Sequence, residues 1–223
     1  MQQFTTPTPV TALLTIPVGR VRLVAGDRSD TTVEVRPANG AKRRDVQAAE
    51  QIEISYLDGV LRIAAPPAEH PLLGDSGSVE VTVQLPAGSR VEAALADGEF
   101  RSTGRLGEVV LDGSRATVQL DETAGARIAV QAGSLTVGRL GGPAELSTRQ
   151  GDILVTEAVT GTVVLRTDAG AITVGATAGA EASLDAATSY GRIENALRTS
   201  TSGTPDLRIQ ATTAYGDITA RSL

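Results

Sequence analysis

From residue 91 onward the chain alternates apolar and polar positions with a period of two, and a glycine interrupts the alternation at short intervals. These corners fall at Gly98, Gly133, Gly151, Gly170, Gly191 and Gly216, with Ser114 in the same slot. They follow one another after 16, 19, 18, 19, 21 and 25 residues. Two positions past each corner stand Phe100, Ala116, Leu135, Ile153, Ile172, Ile193 and Ile218. Five before it stand Ala93, Val109, Ile128, Leu146, Leu165, Ala186 and Ala211, and the four later units carry Thr148, Thr167, Thr188 and Thr213 three before it. Polar side chains such as Ser147, Asp152, Arg166, Arg192 and Asp217 occupy intervening positions. Alternation on both sides of a corner fits a pleated strand, whose successive side chains point to opposite faces, and would be scrambled on a helix.

One such unit cannot bury its own apolar side, so neighbours must stack. The pattern predicts an all-β chain whose residues 91–223 form a β-solenoid, with an antiparallel meander as the competing arrangement. Stacking in chain order would set Leu135, Ile153, Ile172 and Ile193 in one column.

The first ninety residues are less regular. A run over 11–16 bends at Gly19 into 21–23, strands are expected at 32–35 and 79–85, and a short helix at 45–50. Segments 52–56 and 60–63, joined through Asp58-Gly59, read as a hairpin. Residues 1–90 are therefore expected to form a β-sheet cap continuous with the repeats as one elongated domain. Two breaker-rich loops stand out, one over 66–77 and one over 198–205.

Composition narrows the classes. The 223 residues contain no Cys, one His and five aromatic side chains, which excludes disulfide frameworks and thiolate metal sites. Twenty-six acidic and 20 basic residues give a net charge of −6, a poor balance for binding nucleic acid through its phosphates. The basic run Lys42-Arg43-Arg44 is expected on a loop or helix start. No apolar run is long enough for a membrane helix, and the first residues lack a secretion signal, so a cytoplasmic location is expected.

Several segments together carry a resemblance: the Gly-Asp-Ile and Tyr-Gly corners, Leu85-Pro86-Ala87-Gly88-Ser89-Arg90 after the strand at 79–85, the opening 18–23 followed by 32–37, and the ending 211–219. In this combination the chain resembles a large bacterial β-strand-repeat family of unknown function labelled "putative adhesin", and within it a cytoplasmic-looking actinobacterial branch. The resemblance implies a right-handed, single-stranded β-helix and supplies no catalytic residues. The chain departs from the pattern at Ser114, where Gly is usual, and at Asn195, where an aliphatic is usual.

Little in the sequence carries chemistry. His70 sits in the 66–77 loop with no orienting partner in view. Asp152 and Asp217 follow equivalent corners, but Ala171 and Arg192 break the acidic row, so turn chemistry explains them. Tyr190 and Tyr215 precede equivalent corners and are expected to stack as a cross-coil structural pair, the alternative being an aromatic surface that binds a sugar or a partner protein. No metal or cofactor is expected. After Gly216 only one short run remains, so the C-terminal coil is expected to end the stack bare and to support a homo-oligomer. The expected function is a self-associating, non-enzymatic scaffold or binding module. An adhesin-like, glycan-binding surface protein is one alternative, and an enzyme with His70 in a pocket under the 66–77 loop is the other.

Overall fold

The structure, a computed structural model, describes residues 1–66, 77–198 and 205–223. It is mostly β-strand with one short helix among the described residues, and it divides into two compact units, Met1–Ala116 and Thr117–Leu223.

The first unit contains β1 (Gln2–Thr5), β2 (Thr11–Gly26), β3 (Asp30–Pro37), α1 (Arg43–Glu50), β4 (Glu53–Leu57), β5 (Val60–Ala64), β6 (Val79–Pro86), β7 (Arg90–Thr103) and the start of β8 (Arg105–Ala132). Long β2 bends at Gly19. Its first half lies parallel between β5 and β7, and its second half lies parallel between β6 and β7. A Cβ on Gly98 would lie 1.8 Å from the carbonyl oxygen of Gly19, and one on Gly19 would lie 2.1 Å from that of Val79. No side chain fits between corners stacked this closely. Off this layered centre run antiparallel additions: β3 on β6, β1 on β3, and β4 on β5 through a turn with φ of 49° at Asp58 and 81° at Gly59. Asp-Gly suits such a turn because both central residues need positive φ. Lys42 precedes the first turn of α1, which also holds Arg43 and Arg44, and no described helix is long and apolar enough to cross a membrane.

The second unit contains the rest of β8, then β9 (Leu135–Leu140), β10 (Ala144–Gln150), β11 (Ile153–Ala158), β12 (Gly161–Ala169), β13 (Ile172–Ala176), β14 (Ala182–Tyr190), β15 (Ile193–Ala196), β16 (Leu207–Tyr215) and β17 (Ile218–Ser222). Among the described residues these strands pair in parallel throughout, and they form two columns. One runs β8, β10, β12, β16, β14, and the other β8, β9, β11, β13, β17, β15. The parallel registers set the antiparallel meander aside for this unit. Residues at equal distance from the corner face each other: Ile128, Leu146, Leu165, Ala211 and Ala186 in one column, and Leu135, Ile153, Ile172, Ile218 and Ile193 in the other.

That order corrects two expectations. Ile193 does not sit on Ile172, because Ile218 lies between them. The C-terminal coil is not bare either, since β16 pairs with both β12 and β14, and β17 with both β13 and β15. The chain leaves β13, skips one layer to build β14 and β15, and returns to fill the gap with its last residues. The long final corner spacing is the trace of this return.

Core chemistry gives the reason. In the built order the position four past the corner reads Val155, Val174, Ala220, Asn195, so the amide falls on the outermost layer, where it is exposed and its Oδ1 accepts the N–H of Leu197 at 3.0 Å. In chain order Asn195 would lie between Val174 and Ala220, and a buried amide without partners costs about 1–3 kcal/mol.

Hydrogen bonds at the corners follow the same order. The hydroxyls of Thr148, Thr167, Thr213 and Thr188 donate to the carbonyls of Gly133, Gly151, Gly170 and Gly216, each one layer away, at 3.2, 3.0, 3.1 and 3.0 Å. Asp152 Oδ1 accepts the N–H of Ala171, and Asp217 Oδ1 that of Arg192, both at 2.8 Å. On the outer surface Glu157 accepts from the Thr177 hydroxyl and pairs with Arg139, both at 2.6 Å. The Thr177 bond first, and Arg139 second, hold the Glu157 carboxyl below its usual value.

Candidate functional site

The last layer, β14 with β15, is the place where the second unit stops. Among the described residues β14 is paired on one side only, by β16, and β15 only by β17. The N–H of Leu207 donates to the carbonyl of Glu181, with Leu207 opposite Ala182. In a parallel ladder this phase turns the odd-numbered residues of β14 toward β16 and the even-numbered ones away. Ala182, Leu184, Ala186 and Thr188 therefore aim their N–H and C=O groups at the open side. By the same reasoning from Ile218 N–H on the carbonyl of Arg192, Ile193 and Asn195 do so on β15.

Side chains on this layer form two sets. Facing the core are Leu184, Ala186 and Thr188, all half-buried, and Ile193, which is 44% exposed where its neighbour Ile218 is fully buried. Facing outward are Ser183, Asp185, Ala187, Ser189 and Glu194. Asp185 lies opposite Gln210 and Glu194 opposite Thr219, so the layer beneath sets no charge directly against either carboxylate.

Tyr190 and Tyr215 stack, as their positions before equivalent corners predict, with ring centroids 4.9 Å apart and planes 3° from parallel. They are 68% and 60% exposed. Tyr215 is flanked by Ala169 on its other side, whereas Tyr190 belongs to the outermost layer and has no paired residue on its other side among the described residues. Corner residues Gly133, Gly151, Gly170, Gly216 and Gly191 stack in that order: a Cβ on any of the last four would lie 2.0–2.2 Å from the carbonyl oxygen of the corner beneath. In the first unit Gly98 plays the same part above Gly19.

Other candidates gather less. His70 and most of the 66–77 loop lie outside the described residues. A shallow cavity of about 270 Å³ in the first unit is lined by Val18, Lys42, Arg44, Asp45, Ser78, Asp97 and Arg115, and there buried Asp45 accepts the N–H of Ser78 at 3.1 Å. Its charges are tied up in part by the Arg115–Asp97 pair. A second, of about 380 Å³, lies over a lattice of ion pairs that includes Arg20–Glu80 and Arg36–Glu34. Neither is lined by an imidazole or by a hydroxyl set against a base. Among the described residues no group of three or more His, Asp or Glu side chains could hold a metal ion.

Sequence reasoning reached the tyrosines and the corners but missed Asp185, Glu194 and the open edge itself. The available signals were the 25-residue spacing and the polar Asn195 in an apolar column.

No protein-family model matches the chain, and no curated protein matches it in sequence. Solved structures of similar backbone include a "putative cell adhesion protein" of Clostridium sporogenes, 12% identical over 100% of this chain and 98% of that one, TM-score 0.44. Others are a "putative adhesin" of Parabacteroides distasonis, 15% identical over 100% and 95%, TM-score 0.49, and one of Bacteroides fragilis, 10% identical over 98% and 95%, TM-score 0.48. At these identities the likeness carries nothing about what this chain binds.

Proposed function

We propose that the repeats of this chain form a right-handed, single-stranded β-solenoid that serves as a binding module or scaffold rather than a catalyst, with the layer β14–β15 as its working surface. Support for the solenoid comes from the in-register parallel columns, the glycine corners stacked carbonyl to Cα, and the strong bias of parallel crossovers to the right hand. The observation that carries the function is the one-sided pairing of β14 and β15, together with the exposure of Ile193 beside a fully buried Ile218. An edge of unpaired amides next to half-open apolar side chains is a template for another chain.

Hydrogen exchange on the dilute, full-length protein tests this reading. The amides of Leu184, Ala186 and Thr188 are expected to exchange rapidly, while those of Ser183, Asp185 and Ala187, which face β16, are protected. Protection of the even-numbered set in the dilute monomer would mean that the chain covers its own edge and has no working surface there.

A further inference from the structure

Resting on that reading, we propose that the open edge of β14–β15 takes up, by strand addition, a cationic extended polypeptide segment: apolar on its core-facing side, with Lys or Arg on its solvent side.

Backbone and core set the general form of the occupant. The N–H and C=O groups of Leu184, Ala186 and Thr188 offer a hydrogen-bonding frame over the nine-residue β14. The half-open side chains of Leu184 and Ile193 reward apolar residues placed above them. Strand addition draws its affinity from the main chain and its selectivity from alternate side chains.

Three features converge on positive charge. Asp185 and Glu194 are exposed on the outward side, and among the described residues neither makes an ion pair or hydrogen bond. A residue added opposite either one would lie about 5 Å away, within reach of a Lys or Arg side chain. The outer side of Tyr190 is the third feature, since a guanidinium or ammonium group favours an aromatic face. Arg192 stands at the corner between the two carboxylates, so the cationic residues belong on either flank of the corner and not above it.

The same charges argue against a second copy as occupant. Two copies meeting edge to edge would bring two further carboxylates to one seam, and like charges across strands are destabilising. The corner adds a sequence requirement. The carbonyls of Gly133, Gly151, Gly170 and Gly216 leave no room for a Cβ in the corner above, so an occupant that repeats this corner over both β14 and β15 is expected to need glycine above Gly191. A segment lying on β14 alone has no such need.

The test titrates the full chain with a nine-residue peptide of alternating Lys and Val, and with its counterpart carrying Glu for Lys. The Lys peptide is expected to bind about tenfold or more tightly than the Glu peptide, and to slow exchange at Leu184, Ala186 and Thr188. The double variant Asp185→Lys, Glu194→Lys lies on the surface and should invert the preference. Ala186→Pro removes one open-side N–H, leaves the bonds to β16 in place, and should abolish binding. Equal binding of both peptides, a preference for Glu in the wild type, protection elsewhere, or dimerisation that protects the edge without peptide would each overturn the proposal. In all four the open-edge reading survives if the free monomer still exchanges rapidly at the even-numbered amides.

Discussion

Two isoleucines separate the built layer order from the order of the chain. Ile218 and Ile193 occupy the same position two past their corners and face each other in register. Ile218 is 0% exposed with Ile172 on its other side, whereas Ile193 is 44% exposed with no further strand above it among the described residues. Truncation to Ala removes three carbons, worth about 2.4 kcal/mol of transfer free energy when fully buried. At Ile218 the hole is enclosed by neighbouring layers, and a cavity contribution brings the expected loss to about 3–4 kcal/mol. At Ile193 about half of that surface already meets water and no enclosed hole forms, so about 1 kcal/mol is expected. Urea unfolding followed by far-ultraviolet circular dichroism measures both, and comparison of midpoints is sound where the slope is unchanged. If Ile193→Ala costs as much as Ile218→Ala, the back-filled order is wrong, and the open edge at β14–β15 is wrong with it.

Corner packing predicts that Gly216→Ala is worse than most core truncations. Its Cβ would lie 2.0 Å from the carbonyl oxygen of Gly170, so the layers must part, at a cost above about 3 kcal/mol in the same unfolding assay. Thr213→Val keeps shape but deletes the bond to Gly170, and a loss of about 1 kcal/mol is expected. Acid titration of stability should show a contribution from Glu157. Its carboxyl is held below the usual carboxylate value in the folded protein by the Thr177 hydroxyl and then by Arg139, so its stabilisation is full above the unfolded value and is lost as pH falls through the folded one. Thr177→Val should make the acid limb of the stability curve shallower, and an unchanged limb would refute that coupling.

Much of this molecule could be read along the chain. The strands around each corner, the hairpin turning at Asp58-Gly59 and the helix at α1 follow local rules: a period of two, a turn that needs positive φ, and a short polar segment. The tyrosine pair was legible for the same reason, since two residues that precede equivalent corners must meet if their coils are neighbours. Asp185 and Glu194 were not legible. In the sequence they are ordinary outward positions, and they gain meaning only because their layer is the outermost one.

Local pattern along the chain dictates the repeating unit: which residues point inward and where the chain bends. Layer order was left to the tertiary structure. Every coil presents the same register and nearly the same apolar edge, so any coil can pair with any other, and local pattern does not distinguish one neighbour from the next. The choice fell to features that act only once coils are stacked, above all the cost of enclosing the Asn195 amide between Val174 and Ala220, and a connection long enough for the last coil to return beneath the layer that precedes it in the chain.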